Sequence, residues 1–261
     1  MNSSQRAWVR QRSGRRLNLL DPDPYAWTDE DLSVGLSRTY RWGGHSIWPL
    51  PYSVAQHSLL VLALYEQNVD ARLSDQQRTR ELLHDADEAL IGGFDPISPL
   101  KPFLGPSFFK LVTKLQKAVF TRYGLAEWND QEHRSHKIVD TLAAASEAVH
   151  IAGWAPREVK ELLGIDLEPL IDDPLAVIYG CRPWEPWAPD IAAKKFLKEL
   201  RGEGRAVLSA TSTLPYPVLP LRSSELDFTL PQQPDHGLEC ALECRWCYEE
   251  PTTCVGRKEA A

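Results

Sequence analysis

A histidine–aspartate doublet, His84-Asp85, lies inside the run ELLHDADEAL, whose leucines and alanines recur at the spacing of a largely buried helix. Ionisable side chains in such a helix are costly unless a cation or a counter-charge offsets their lost hydration. His57 upstream and Asp140 downstream lie on two further segments with helical spacing. Two imidazoles and two carboxylates form a mixed set of ligands that suits Mn, Co, Fe or Zn. We therefore expect the chain to fold so that these four side chains converge on one metal ion.

Helix start and stop signals cover the first two thirds of the chain. The capping-box form S-x-x-Q opens two helices, at Ser53 and Ser74, and glycines follow the ends of others. The predicted helices cover about 29–38, 53 to at least 64, 74–90, 107–123, 132–151, 156–163 and 190–201. Residues 15–20 are predicted to form a small edge strand. The predicted fold class is all-α.

Charge and hydropathy exclude several functional classes. The chain has 261 residues and a net charge of −7, which argues against broad electrostatic binding to a nucleic-acid polymer. The first 16 residues contain five arginines but not the apolar core of a secretory signal. No apolar run approaches the roughly 20 residues that a membrane-spanning helix needs. We therefore expect a cytoplasmic protein that binds neither a nucleic-acid polymer nor a membrane.

The composition changes after about residue 204. Residues 209–234 are rich in Ser, Thr, Pro and Leu without helical spacing, which predicts a linker or a poorly ordered extension. The main domain is therefore predicted to span 13–204 and the extension 205–261. Four cysteines lie close together in this extension, at Cys240, Cys244, Cys247 and Cys254. The first three match the spacing of radical-SAM enzymes, but too little chain follows them for the barrel of such an enzyme. A four-thiolate zinc site and free thiols are the alternatives.

Three segments, YSVAQHSLLV, LLHDADEAL and KIVDTLAAASE, contain the doublet and the two other candidate ligands. Their order, preceded by Arg41-Trp42, resembles that of the HD-domain phosphohydrolases. The chain is most similar to the YfbR-like 5′-deoxynucleotidases and the related phage dATP triphosphohydrolases. The N-terminal run from SGRR to RWGGH is also similar to small bacterial and phage members of this group. The resemblance covers about residues 13–204 and implies an HD-domain helical bundle.

The resemblance implies one divalent metal ion (Mn, Co, Mg, Fe or Zn) held by His57, His84, Asp85 and Asp140. It also implies that Glu88 orients or deprotonates the attacking water. The spacing agrees with this role, because a residue four positions after His84 shares its face on a continuous helix. An acidic side chain beside a metal-activated water commonly acts as the general base.

Five further residues are candidates for contacts with a nucleotide. The resemblance implies that Arg41 contacts the phosphate, that Trp42 packs against sugar or base, and that Asp95 lies near a sugar hydroxyl. A guanidinium offers paired donors for phosphate oxygens, and an adjacent indole offers a flat apolar surface. Asp95 follows two glycines and a phenylalanine, where a single glycine is usual in the family. His45 and Lys101 are candidates for additional phosphate contacts.

Two features near Asp140 bear on the ligand set. Glu147 lies two turns later on the same helix face, so we expect it to contact a ligand rather than the metal. His133 and His136 form an H-x2-H pair just before Asp140, and a ligand set that uses His136 is an alternative. The polar surroundings of this pair, at a predicted helix start, favour the set that uses the doublet.

The sequence therefore predicts a metal-dependent phosphohydrolase of (deoxy)nucleotides, either a 5′-nucleotidase or a dNTP phosphohydrolase. The choice between monophosphate and triphosphate stays open, because both groups share the metal-site residues. The alternative is a non-catalytic nucleotide-binding or scaffolding module of the HD fold. The expected partner is a small nucleotide, and the resemblance further implies a homo-oligomer.

Overall fold

A computed structural model describes residues 6–68 and 73–203. This part of the chain is mostly helical, with one two-stranded antiparallel sheet before nine α-helices. The elements are β1 (Trp8–Arg10), β2 (Arg16–Asn18), α1 (Asp29–Arg38), α2 (Val54–Asn68), α3 (Asp75–Leu82), α4 (Ala86–Leu90), α5 (Gly105–Tyr123), α6 (Asp130–His150), α7 (Pro156–Leu163), α8 (Pro174–Tyr179) and α9 (Pro189–Leu200). The predicted extension at 205–261, with its cysteine cluster, lies outside the described residues. Within the described ranges, no helix is long and apolar enough to cross a membrane.

The helix α2 lies at the centre of the molecule. Its side chains are buried from Val54 to Tyr65, since α1, α3, α6, α8 and α9 all pack against it. A helix that is apolar on every side is buried on every side, which agrees with its run of leucines. His57 lies in the second turn of this helix and is fully buried. The core of the fold therefore fixes the position of one candidate ligand.

Local signals predict several helix ends correctly. The helices α1 and α7 have the predicted bounds, and α5 ends before Gly124, whose φ of 61° is left-handed. Both hydrogen bonds of the capping box at Ser74 are formed with Gln77 at the start of α3. The strand β2 confirms the predicted edge strand. The sequence does not predict β1 or α8, which are six residues or shorter and so show too little periodicity.

The predicted capping box at Ser53 is only half formed. The hydroxyl of Ser53 accepts a hydrogen bond from the backbone N–H of Gln56 at 3.2 Å. The amide of Gln56 turns away from the helix end, towards the segment that precedes α9. Its Nε2 donates to the carbonyl of Glu185 at 3.0 Å, and its Oε1 accepts from the N–H of Trp187 at 2.8 Å. The buried side chain of Gln56 therefore joins α2 to a segment about 130 residues later.

Replacing Gln56 with Ala should lower the free energy of unfolding by about 2–6 kcal/mol, because two backbone groups then lose their partner at a cost of about 1–3 kcal/mol each. Urea denaturation measures this change. The matched control is Gln76→Ala, whose exposed amide makes one hydrogen bond to Gly124. That control should change the stability by less than about 1 kcal/mol. Equal stability losses in the two variants would contradict the role given to Gln56.

The prediction of one helix over 74–90 is wrong, because α3 and α4 are separated by a turn at residues 83–85. In a continuous α-helix the carbonyl of Glu81 would accept from the N–H of Asp85. It accepts instead from Nδ1 of the His84 imidazole, at 2.8 Å. A side chain that occupies a backbone acceptor competes with the helix. The doublet therefore projects from a turn, and not from successive positions around one helix axis.

Candidate metal centre

Donor atoms of three of the four predicted ligands converge on one centre, with His57 supplied by α2, Asp140 by α6 and His84 by the turn between α3 and α4. Asp85, from the same turn, contacts both imidazoles but lies outside this group of mutually close donor atoms. Nε2 of His57 lies 3.3 Å from Nε2 of His84, 3.3 Å from Oδ1 of Asp140 and 3.5 Å from Oδ2 of Asp85. Nε2 of His84 lies 3.0 Å from the same oxygen of Asp85. Donor atoms of His57, His84 and Asp140 all lie within 4.8 Å of one another.

These separations fit the ligand shell of a small divalent cation. Ligands about 2.1 Å from a metal ion lie roughly 3.0–3.4 Å from their neighbours in the shell. Two borderline nitrogens and two hard oxygens also match the preferences of Mn, Co, Fe or Zn. The imidazoles are buried, whereas the carboxylates of Asp85 and Asp140 are 19% and 22% exposed. The centre therefore opens to solvent on its carboxylate side.

Each imidazole is oriented by a hydrogen bond from its Nδ1. Nδ1 of His57 lies 2.6 Å from Oε1 of Glu147, and Nδ1 of His84 donates to the Glu81 carbonyl. Such partners fix the ring of a metal-binding histidine and direct Nε2 towards the metal. The contact with Glu147 agrees with the sequence prediction. Asp85 occupies the N-cap position of α4 but makes no capping hydrogen bond, so its carboxylate turns to the imidazoles.

The charges around His57 determine whether its imidazole is protonated, and a cation that binds there must displace that proton. Burial and Arg41 lower the pKa of His57, but the carboxylates of Glu147 and Asp140 outweigh them and raise this pKa to about 9. Burial raises the pKa of Asp140, but Lys137 and His57 hold it well below its usual range. Without a cation, His57 therefore carries a proton between two carboxylates at neutral pH.

Glu88 lies beside the ligands on α4 and is buried. Its Oε2 has no hydrogen-bond partner among the described residues, and its Oε1 lies 3.8 Å from Nζ of Lys101. Burial, together with the charges of Asp85 and Asp95, raises the pKa of Glu88 well above its usual range. A buried carboxyl oxygen without a partner and with a high proton affinity is suited to exchange a proton with water.

Arg41 connects two carboxylates next to the ligands. Its Nε donates to Oε2 of Glu147 at 3.0 Å, and its Nη1 lies 3.4 Å from Oδ2 of Asp95. The two glycines before Phe94 adopt φ angles of 109° and 80°, and the second donates its N–H to the Glu88 carbonyl at 3.0 Å. The longer glycine segment therefore still places Asp95 at the centre.

Trp42 has a backbone φ of 58°, in the left-handed region that bulky residues rarely adopt. Strained backbone of this kind is concentrated at functional sites. The indole Nε1 donates to Oε2 of Glu147 at 3.2 Å, and the ring packs against a small apolar cluster on α6 and α7. His45, by contrast, is exposed, and its imidazole makes no hydrogen bond to the centre within the described ranges.

A layer of side chains behind His84 was not predicted. His136 is only 2% exposed, and its Nδ1 lies 2.7 Å from Oε2 of Glu81. Its ring contacts the His84 ring edge-on, stacks on Trp128 at a centroid distance of 4.8 Å, and lies outside the group of converging donor atoms. The polar neighbours of His136 in the sequence therefore do not indicate that its side chain is buried. Its four-residue spacing from Asp140, which places both on one face of α6, was the available signal.

Comparison with known proteins gives one informative relative. No family model matches the chain. The chain is 40% identical over 161 residues to an uncharacterized protein of Rhodobacter capsulatus. The aligned region covers 61% of this chain and 81% of that protein, so the similarity extends over most of the relative. The chain therefore belongs to the same protein family as this uncharacterized protein of Rhodobacter capsulatus.

Proposed function

We propose that the chain is a metal-dependent phosphohydrolase of (deoxy)nucleotides with an HD-domain fold. The observation that carries the proposal is the convergence of His57, His84 and Asp140, with Asp85 in contact with both imidazoles, next to a buried carboxylate oxygen of Glu88 that has no partner among the described residues. A structural ion-pair cluster would use this oxygen for a hydrogen bond, since an unpartnered buried acceptor is costly. A hydrolase would leave it available for water.

The ligands would hold the cation, and a bound cation would supply Lewis-acid activation of water and positive charge next to the phosphate. Glu88 accepts the proton of the water whose oxygen attacks phosphorus. The ester P–O bond breaks, and this proton is then available to the leaving oxygen. Arg41 uses Nε and Nη1 for Glu147 and Asp95, and its Nη2 remains for a non-bridging phosphate oxygen.

The charge of the centre favours a monophosphate substrate. The carboxylates at the centre are Asp85, Glu88, Asp95, Asp140 and Glu147, and the cationic side chains placed there by the described residues are Arg41, Lys101 and Lys137. With Glu88 ionised, as its role as proton acceptor requires, a divalent ion would bring the site only to about neutrality. A dianionic phosphate is compatible with this balance, whereas a triphosphate would need further basic groups to offset its larger charge.

A phosphate-release screen tests the proposal. The protein is stripped of metal, supplied separately with Mn, Co, Mg and Zn, and offered (deoxy)nucleoside mono- and triphosphates, with products separated by chromatography. We expect nucleoside and phosphate from a monophosphate, and no product with chelator. Release of intact triphosphate from a dNTP would change the proposed substrate. Nucleotide binding without turnover for any metal would indicate the non-catalytic module.

A further inference from the structure

The fully buried carboxylate of Glu147, on α6, accepts three N–H donors from two different parts of the centre. Oε1 lies 2.6 Å from Nδ1 of His57, on the metal side. Oε2 accepts from Nε of Arg41 at 3.0 Å and from Nε1 of Trp42 at 3.2 Å, on the side of the predicted nucleotide contacts. One side chain thus contacts a candidate metal ligand and both members of the Arg41-Trp42 pair.

We propose that Glu147 is a positioning residue that supports metal binding and phosphate binding together, through its two carboxylate oxygens. This inference rests on the proposed function. Oε1 holds the His57 ring so that Nε2 faces the other ligands. Oε2 holds the guanidinium of Arg41 so that Nη2 remains for phosphate. The metal site and the phosphate site are therefore both positioned by the carboxylate of Glu147, which itself touches neither the metal nor the substrate.

Only a carboxylate satisfies this arrangement. An ionised carboxylate has acceptors on both oxygens, whereas an amide has one acceptor oxygen and one NH2 donor. In Glu147→Gln, the NH2 must face either His57 or the Arg41-Trp42 pair, so a donor meets a donor on one side. If it faces His57, Nδ1 must become the acceptor, and the ring proton moves to Nε2, where it blocks the metal. If it faces Arg41, the guanidinium loses its orientation.

The test compares Glu147→Gln with a buried glutamate elsewhere in the fold. Glu199 on α9 is also buried and ion-paired, with Arg78 of α3, and it does not touch the centre. Calorimetry measures the affinity of each variant for Mn²⁺ alone, and then the affinity of the Mn²⁺-saturated protein for inorganic phosphate. Circular dichroism and thermal unfolding report whether each variant is folded.

We expect Glu147→Gln to weaken Mn²⁺ binding by about 10- to 100-fold, the usual effect of removing the partner of a metal ligand. Phosphate binding to the Mn²⁺-saturated variant should also weaken, by at least about fivefold, which corresponds to roughly 1 kcal/mol. Glu199→Gln should lower thermal stability and leave both affinities unchanged. A merely structural role for Glu147 predicts this same result for both variants.

Unchanged affinities in folded Glu147→Gln would overturn the inference, and so would a loss of Mn²⁺ affinity with phosphate binding intact. If that variant fails to fold, Glu147→Asp replaces it. This variant keeps the charge but is one methylene shorter and reaches only one side, so wild-type affinities for both probes would overturn the inference equally. Failure of the wild-type protein to bind any of Mn²⁺, Co²⁺, Mg²⁺ and Zn²⁺ would instead contradict the proposed function.

Discussion

The substitution Glu88→Gln is expected to reduce kcat by about 10²- to 10⁴-fold, the usual contribution of a general base, and to leave metal binding intact. The amide keeps the size of the side chain, but it cannot accept a proton from water. Glu88 is not among the converging ligands, so the substitution leaves His57, His84 and Asp140 unchanged. Steady-state hydrolysis with the active metal of the screen gives kcat, and calorimetry with Mn²⁺ gives the metal affinity.

The control for this prediction is Asp87→Asn on the same helix. Asp87 is also buried, and its carboxyl accepts a hydrogen bond from the amide of Gln116 at 3.1 Å, which an asparagine oxygen can still accept. Burial and the charge of Asp85 raise the pKa of Asp87 to about 6, so this substitution also removes a perturbed carboxyl. Asp87→Asn should keep kcat within a few-fold of wild type. Equal losses in the two variants would show that the charge of α4, rather than the proton acceptor Glu88, controls turnover.

The affinity of the metal-free protein for Mn²⁺ should rise by at least about tenfold per pH unit from about pH 7 and level off near pH 9. The pKa of His57 is raised to about 9, so below this pH the cation must displace one proton from the imidazole. Burial lowers the pKa of the second imidazole ligand, His84, but the carboxylate of Asp85 outweighs it and raises this pKa, so the proton of His84 competes with the cation as well. Raising the pH removes these competing protons, and the affinity therefore increases with pH. Calorimetry in buffers of different ionisation enthalpy counts the protons released, and we expect at least one for each Mn²⁺ bound in this range.

His45→Gln is the matched control for this titration, because it removes an exposed histidine that makes no hydrogen bond to the centre in the described chain. It should give the same slope and the same proton count as wild type. A pH-independent affinity without proton release would mean that His57 is already neutral at pH 7 or is not a ligand.

Local patterns predict those parts of the fold that local interactions determine. The bounds of α1 and α7 follow from signals within one turn of each helix end. The hydrogen bonds of the Gln56 amide cannot be predicted in this way, because its partners are about 130 residues away and compete with the nearby helix end. The residues around Ser53 do not identify these partners. The same reason explains why the burial of His136, which depends on Trp128 and Glu81, was missed.

The candidate site was predicted residue by residue, but its geometry was not. The identities of His57 and Asp140 come from the family resemblance and from the chemistry of the donor set. The doublet lies in a turn, where a hydrogen bond joins the His84 side chain to the Glu81 carbonyl, and the helical spacing of the sequence does not indicate this turn. Glu147 was expected beside a ligand, but nothing in the spacing of residues indicated that Arg41 would share its carboxylate.

The bond from His84 to the Glu81 carbonyl has a consequence for how the ligands can be studied. This bond holds the imidazole, and it uses the carbonyl that a continuous helix would pair with the N–H of Asp85. A residue without a donor at position 84 would leave this carbonyl without its partner, in the turn that also presents Asp85. Replacing this histidine therefore removes one candidate ligand and also a contact within the turn that holds the other, so its effect on metal affinity would not measure the imidazole alone.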